Sequence, residues 1–280
     1  MPEAIRLMRE TFEQLRSGAA LNQPRRRLML PTGTILHSLA GAWGKYLGTK
    51  VYATNARHGK AYFFFLLFDA ETALPLAHME ANYLGQIRTG AASGYATSIL
   101  AAPEAETLAI IGAGFQARTQ LAAMREVRKL RDIRVWSRNE TNRYSFAVET
   151  ATRAVATAEE AVRGAQIVVT ATWSKDPVLD ASWIGKGTHV NAMGSNQAQR
   201  RELPTDLIAR ADLIAVDSIE VAKIESGDLL LAGVDWSDPR LVELARVDAR
   251  PPGDPVTIFK SNGLGVEDVA AAAYVYERLA

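Results

Sequence analysis

Cysteine is missing from the 280 residues, and histidine occurs only four times, widely spaced. No disulfide can form, no thiolate can act as a nucleophile, and a zinc site is not expected; the chain is read as metal-free. Charge of one sign is also lacking. Lys and Arg number 32 against 31 Asp and Glu, a net charge of +1. A nucleic acid held by bulk electrostatics is therefore not an expected partner. Long apolar runs are absent too. The longest, Tyr62 to Phe68, is far too short to cross a bilayer, so no membrane partner is expected. Met1 opens directly into a charged amphipathic segment without the pattern of a secretory leader, and a cytoplasmic location is expected. The length suffices for two domains.

The most informative stretch is Thr107 to Ala117, Thr-Leu-Ala-Ile-Ile-Gly-Ala-Gly-Phe-Gln-Ala. Leu108–Ile111 has the unbroken apolar character of a strand buried on both faces. Gly112, Ala113 and Gly114 follow, and Phe115 to Leu130 has helical composition. A strand, a glycine turn and a helix form the context that a dinucleotide-binding fingerprint requires. Gly112 permits the tight turn, Gly114 a close approach of backbone to a pyrophosphate, and Ala117 close helix–strand packing. The N–H groups around Phe115 and Gln116 would then face the phosphates.

Before this stretch, Pro2 to Ser17 reads as a helix, with Pro2 suited to its first turn and Gly18 to the position past its end. The basic cluster Pro24-Arg25-Arg26-Arg27 reads on its own as a solvated turn. From Thr32 to Met79 the pattern is β-like, with strands expected at Thr34–Ser38, Lys45–Ala53, Ala61–Phe68 and Leu76–Glu80. The run Tyr62-Phe63-Phe64-Phe65 suggests a strand covered on both sides, by a helix of the same chain or by a partner subunit. Asn82 to Ala101 reads as a helix whose middle, Arg88-Thr89-Gly90-Ala91-Ala92-Ser93-Gly94, is bare enough for Arg88 to meet an anion.

After Ala105 strands and helices alternate, which implies a parallel sheet with crossover helices. Ligands of such sheets bind at the carboxyl ends of the strands. The residues found there are Gly112–Gln116, Ser137–Asn139, Thr170–Trp173, Met193–Asn196 and Asp217. Val256–Phe259 is a further strand candidate and Val266–Leu279 a closing helix. The fold class expected is α/β: a Rossmann-type dinucleotide-binding domain plus a second α/β domain. The domains are expected at 1–102 and 103–258, with 259–280 returning to the first.

The strand Ile133-Arg134-Val135-Trp136 ends in Ser137-Arg138-Asn139, without the carboxylate that grips the ribose 2′-hydroxyl of NAD. Ser137 and Arg138 suit a 2′-phosphate through charge-assisted hydrogen bonds. NADP(H) is therefore expected to be preferred, with NAD(H) possible.

Taken together, these stretches resemble the ornithine cyclodeaminase and mu-crystallin family. The residues that carry the likeness are Arg26 after Pro24, Gly48-Thr49-Lys50, Phe68-Asp69-Ala70-Glu71-Thr72, Arg88 to Ser93, Ile111 to Arg118, Val190-Asn191-Ala192-Met193-Gly194-Ser195-Asn196, Arg201-Glu202-Leu203, Val216-Asp217-Ser218, Glu225-Ser226-Gly227-Asp228 and Phe259-Lys260-Ser261. The resemblance implies a homodimer, with the first hundred residues and the last helix forming the substrate and dimerisation domain and the active site in the cleft beside the Rossmann domain. Carried over by position, Arg26, Lys50 and Arg88 would face a small amino or imino acid and form the catalytic set. Thr89 would lie near the cofactor phosphates, and Ser261 and Gly263 near the nicotinamide. Thr170, Ala171, Thr172, Met193, Gly194, Ser195 and Asn139 complete the expected cofactor contacts. An arginine or a pair of cations is what a substrate carboxylate needs, and Lys50 could pass a proton.

Two departures matter. His37 stands where the cyclodeaminase has an acid, and Asn196 stands where that enzyme has the aspartate handling the ornithine amine. Both are expected substrate contacts. An asparagine cannot act as a carboxylate base, which points away from cyclodeamination. The chain also opens late by comparison with the family's usual first strand and helix. The expected function is NAD(P)H-dependent reduction of an imino acid, such as a pyrroline- or piperideine-2-carboxylate. Ornithine cyclodeaminase, an alanine-type amino-acid dehydrogenase and a non-catalytic NADPH-dependent binding protein are the alternatives.

Overall fold

In the computed structural model, which describes residues 1–59 and 61–279, internal contacts divide the chain into two units. The smaller comprises Glu3–Arg88 and Gly263–Ala280; the larger comprises Met1–Pro2 and Thr89–Asn262. The division falls inside a helix rather than at the expected 102/103 junction. The second crossing falls at Asn262/Gly263, so Phe259 to Asn262 stay with the larger unit instead of returning.

The smaller unit opens with all but the first residue of α1 (Pro2–Ser17), whose Leu7, Met8, Thr11 and Phe12 are buried. A five-stranded antiparallel meander follows in chain order: β1 (Leu21–Met29), β2 (Thr34–Trp43), β3 (Tyr46–Asn55), β4 (Phe63–Asp69) and β5 (Pro75–Glu80). β1 is where a solvated turn was expected. Pro24 has no N–H to give a ladder, and the pairing slips there: Gln23 faces Ala40, but Arg26 faces Ser38. This bulge inverts the alternation of inward and outward side chains along the strand. Asn22 lies inward before it, and Arg25 and Arg27 lie inward after it.

Next along the chain is α2 (Asn82–Leu100), whose residues up to Arg88 belong to the smaller unit. The closing helix of the chain (Gly265–Leu279) lies on one face of the five-stranded sheet. Val269, Ala272 and Ala273 pack there against Tyr46, Phe65 and Leu67. At its start the helix and β2 come into backbone contact. A Cβ on Gly41 would sit 2.7 Å from the Val266 nitrogen, and one on Gly265 would sit 2.6 Å from the Ala40 oxygen. Glycine at both positions lets the helix's first turn, Glu267 and Asp268 included, reach the sheet. The opposite face carries Leu28, Leu36, Leu47, Phe64 and Leu66, all exposed. The expectation that the Phe63–Phe65 strand is covered on both sides is therefore met on one side only within this chain.

The larger unit contains the rest of α2 and an all-parallel eight-stranded sheet. Its elements are β6 (Thr107–Ile111), α3 (Phe115–Val127), β7 (Asp132–Trp136), α4 (Glu140–Thr150), β8 (Arg153–Ala154), α5 (Ala158–Val162), β9 (Ile167–Thr170), β10 (His189–Ala192), α6 (Thr205–Arg210), β11 (Leu213–Val216), α7 (Ile219–Glu225), α8 (Gly227–Leu230), β12 (Leu241–Glu243) and β13 (Thr257–Lys260); the closing helix is α9. The spatial order is β12-β11-β13-β10-β9-β6-β7-β8. From β6 the chain runs outward through β7 and β8, then returns to lay β9 on the other side. The switch point lies between the ends of β6 and β9, where such sheets hold their ligands. β13 is inserted between β10 and β11, and Lys260 pairs with Ala192 on one side and Val216 on the other. Among the described residues no helix is long and apolar enough to cross a membrane.

Candidate active site

In the smaller unit a group of charged side chains is buried where α9 begins. β3 points Tyr46, Gly48, Lys50 and Tyr52 inward. Lys50 meets the first turn of α9, with its Nζ 2.6 Å from Asp268 Oδ2. From α2, Arg88 donates from Nε to Asp268 Oδ1 at 3.0 Å and from NH1 to Glu267 Oε2 at 2.7 Å. One carboxylate thus bridges both cations, and all four side chains are buried.

Burial of this kind shifts the ionisations in predictable directions. Desolvation brings the Lys50 ammonium down to about 8, with Asp268 opposing the shift and Arg88 and Arg25 adding to it. Burial works against the Arg88 charge, but Asp268 and Glu267 outweigh it and hold the guanidinium protonated. Asp268 is likewise kept ionised by Arg88 and Lys50 in spite of its burial. Lys50 is therefore the one member of these three poised to change its charge near neutral pH.

Of the expected cations, Lys50 and Arg88 are brought together and Arg26 is not. Arg26 is exposed, whereas Arg25 is buried and acts electrostatically on Lys50 and His37. The Pro24 bulge is what turns Arg25 rather than Arg26 inward. His37 lies on the inner face, stacked on Tyr52 with ring centroids 4.4 Å apart and planes 2° from parallel. Its Nε2 is 2.8 Å from Thr54 Oγ1. Burial, with Arg27 and Arg25 nearby, pushes it down to about 4, so it is neutral at pH 7. Gly263, at φ +81°, packs against the Arg88 guanidinium.

In the larger unit the glycine corner has the form the sequence suggested. Gly112 adopts φ +115°, and a Cβ there would collide with the Ala171 backbone. Ala113 and Ala117 are buried and Phe115 is exposed. A Cβ on Gly114, by contrast, would meet nothing within 4 Å, and Gly114 caps α3 without a side-chain hydrogen bond. Open space at the N-terminus of a thirteen-residue helix lacking a side-chain cap fits a pyrophosphate. Gln116 follows in the first turn, and Thr89 accepts a hydrogen bond from Gln120 Nε2 on its carbonyl.

At the tip of β7, Arg138 is exposed and Ser137 half-buried. The Asn139 side chain caps α4, its Oδ1 accepting from the Asn142 N–H at 2.8 Å. Thr170, Thr172 and Gly194 are gathered on a single carboxylate, that of Glu202, with Ala171 between the two threonines. Met193 and Asn196 are half-buried beside Gly194, and the Ser195 hydroxyl donates to the Arg200 carbonyl. Ser261 is buried, its N–H on the Ala192 carbonyl. Asp217 accepts from the Asn262 N–H and so ties down the loop after β13.

Sequence reasoning gave no role to Glu267, Asp268 or Glu202. The first two sit in the opening turn of an alanine-rich helix, where acids ordinarily complement the helix dipole. The available signal was that no other charge follows them until the last turn of that helix.

A profile of the ornithine cyclodeaminase/mu-crystallin family matches residues 1–280. The chain belongs to that family. Among its relatives is the ketimine reductase mu-crystallin of Mus musculus, 38% identical over 217 residues, which span 76% of this chain and 68% of the relative. Among family structures, the Δ1-pyrroline-2-carboxylate reductase of Thermococcus litoralis, in complex with NADH and L-proline, superposes with a TM-score of 0.92 at 31% identity, covering 99% of this chain and 93% of the other. An archaeal alanine dehydrogenase dimer with bound NAD also reaches a TM-score of 0.92 at 31% identity, covering 99% and 91%. The chain thus has the Rossmann-type fold of these NAD-binding neighbours.

Proposed function

We propose that the protein reduces a small α-imino acid, a cyclic one such as pyrroline- or piperideine-2-carboxylate, with a reduced nicotinamide nucleotide. The observation that carries this reading is Lys50, buried on Asp268 beside Arg88, with its pKa brought to about 8. The bound nicotinamide supplies the hydride that the C=N carbon gains. Arg88 and Arg25 hold the carboxylate. With Lys50 protonated, the three cations exceed the two acids by one positive charge, which an anionic substrate neutralises. Lys50 Nζ gives its proton to the imine nitrogen, and Asp268 fixes that ammonium in place. His37, neutral and stacked on Tyr52, forms wall rather than acid. Asn196 offers no carboxylate base, which disfavours cyclodeamination. A ketimine reductase and a pyrroline-2-carboxylate reductase among the relatives support the same substrate class.

The deciding experiment is a screen of cyclic imines and α-keto acids with NADPH and with NADH. Cyclic imines consuming the nucleotide support the reading. Turnover confined to pyruvate plus ammonia would make the protein an amino-acid dehydrogenase, a reading favoured by its likeness to the archaeal enzyme. Proline and ammonia from ornithine without net nucleotide use would make it a cyclodeaminase. No turnover at all would leave a binding protein.

NADP(H) is the preferred cofactor in this reading because the β7 tip presents the exposed Arg138 and no acid until Glu140, whose carboxylate lies 3.5 Å from Arg143. Arg138→Ala is expected to weaken NADPH about tenfold or more and NADH by less than about threefold, from the loss of one charge-assisted contact. Fluorescence titration of both nucleotides measures it, and equal losses refute the assignment.

The protein works as a homodimer in the cytoplasm, its exposed sheet face of Leu28, Leu36, Leu47, Phe64 and Leu66 closed by a second copy. Leu36→Glu with Phe64→Glu is expected to give monomers in analytical ultracentrifugation. A double variant that stays dimeric would place the interface elsewhere.

A further inference from the structure

Glu202 lies in the larger unit, entirely buried, on the loop before α6. Its carboxylate accepts four hydrogen bonds. Oε2 takes Thr170 Oγ1 at 2.8 Å and the Gly194 N–H at 2.7 Å; Oε1 takes the Thr172 N–H at 2.7 Å and Thr172 Oγ1 at 2.6 Å. These donors come from the segments that leave β9, the neighbour of β6 and its glycine corner, and β10, the next strand out. The identity of Gly194 follows from this knot. A Cβ there would overlap Thr172 and sit 2.5 Å from Glu202 Oε1.

Glu202 is held in turn from behind. Asp228 Oδ1 accepts from the Glu202 and Leu203 N–H groups at 2.6 and 2.8 Å. Asp228 Oδ2 lies 3.3 Å from Lys260 Nζ, which also donates to the Ser195 carbonyl and, at 3.2 Å, to that of Ser261. Lys260 is fully buried in the middle of the sheet. The three charged residues thus join the carboxyl ends of β9, β10 and β13.

We infer that Glu202 is a positioning residue for the dinucleotide: one carboxylate that fixes the β9 and β10 segments against each other so that they present a preformed edge to the cofactor. Burial and the neighbouring Asp228 raise the Glu202 carboxyl, and Thr172, Lys260 and Thr170 oppose that shift. The two backbone N–H groups and the two hydroxyls all converge on its oxygens, the arrangement an acceptor-only carboxylate satisfies. A buried network of this kind works only when every member is satisfied. The inference rests on nucleotide binding at the glycine corner, not on the identity of the substrate.

The test is Glu202→Gln in the full-length protein. The amide puts an NH2 donor against donors and releases one of the two segments. The dissociation constant of the reduced nucleotide is expected to rise about tenfold or more, the scale of one lost hydrogen bond to a buried charge. The KM of the imino acid at saturating nucleotide should change less than about twofold, because uniform nucleotide binding is what is lost. A merely structural role lowers the unfolding temperature without that split. If Glu202→Gln does not fold, Thr172→Val decides, since it removes one hydroxyl from the same carboxylate; it should weaken nucleotide binding about threefold or more. Folded protein of either variant that binds nucleotide as the wild type does overturns the role of Glu202. A wild type that binds neither NADH nor NADPH overturns the reading it rests on as well.

Discussion

Lys50→Met is expected to lower the reductive kcat by about 10²- to 10⁴-fold, the range associated with losing a positioned proton donor. The variant keeps the length and apolar stem of the side chain, and Asp268 keeps its Arg88 partner at 3.0 Å. Nucleotide binding should therefore persist. The wild-type pH profile carries the same information. Burial brings the Lys50 ammonium to about 8, so reduction, which uses the protonated form, should decline as pH rises through that value. Oxidation of the amine, which uses the free base, should decline as pH falls through it. Both limbs should vanish in Lys50→Met. Stability gives an independent check on the sign. The folded pKa of about 8 lies below the ordinary 10.5, so between these values the unfolded chain binds more protons and wild-type stability rises with pH. The variant should lack that rise. Activity within tenfold of wild type, with both limbs intact, would assign the proton to another group.

Much of this architecture was legible because its signals are local. Pro2 and Gly18 bracket α1; the apolar run, the glycines and the helix behind them identify β6 and α3 as a nucleotide corner. What the sequence concealed depends on pairing across long separations. Pro24 and three arginines have the composition of a turn, and only pairing with β2 makes them part of a strand. Whether Arg25 or Arg26 faces inward turns on a single bulged residue, which no periodicity reveals. Glu202 takes its partners from segments eight to thirty-two positions away. Its meaning appears only when β9 and β10 lie side by side. Asp268 likewise reads as a helix-start acid until α9 is folded back on β3, 218 positions from Lys50. The resemblance singled out Lys50; it did not single out the carboxylate that holds it.

Arg88→Met is expected to destabilise the protein by about 3–5 kcal/mol, because removing one partner of a buried ion pair leaves the other's burial poorly compensated. Asp268 retains Lys50 at 2.6 Å, whereas Glu267 loses the guanidinium 2.7 Å away, keeps the Leu264 N–H at 3.4 Å and stays buried. Arg88→Met with Glu267→Gln tests which acid suffers. Removing the Glu267 charge should recover a large part of the loss, and the difference from additivity measures the pair. A double variant no more stable than Arg88→Met would place the penalty on Asp268 instead. Recovery of stability should not bring back catalysis if, as proposed, Arg88 is the cation that holds the substrate carboxylate.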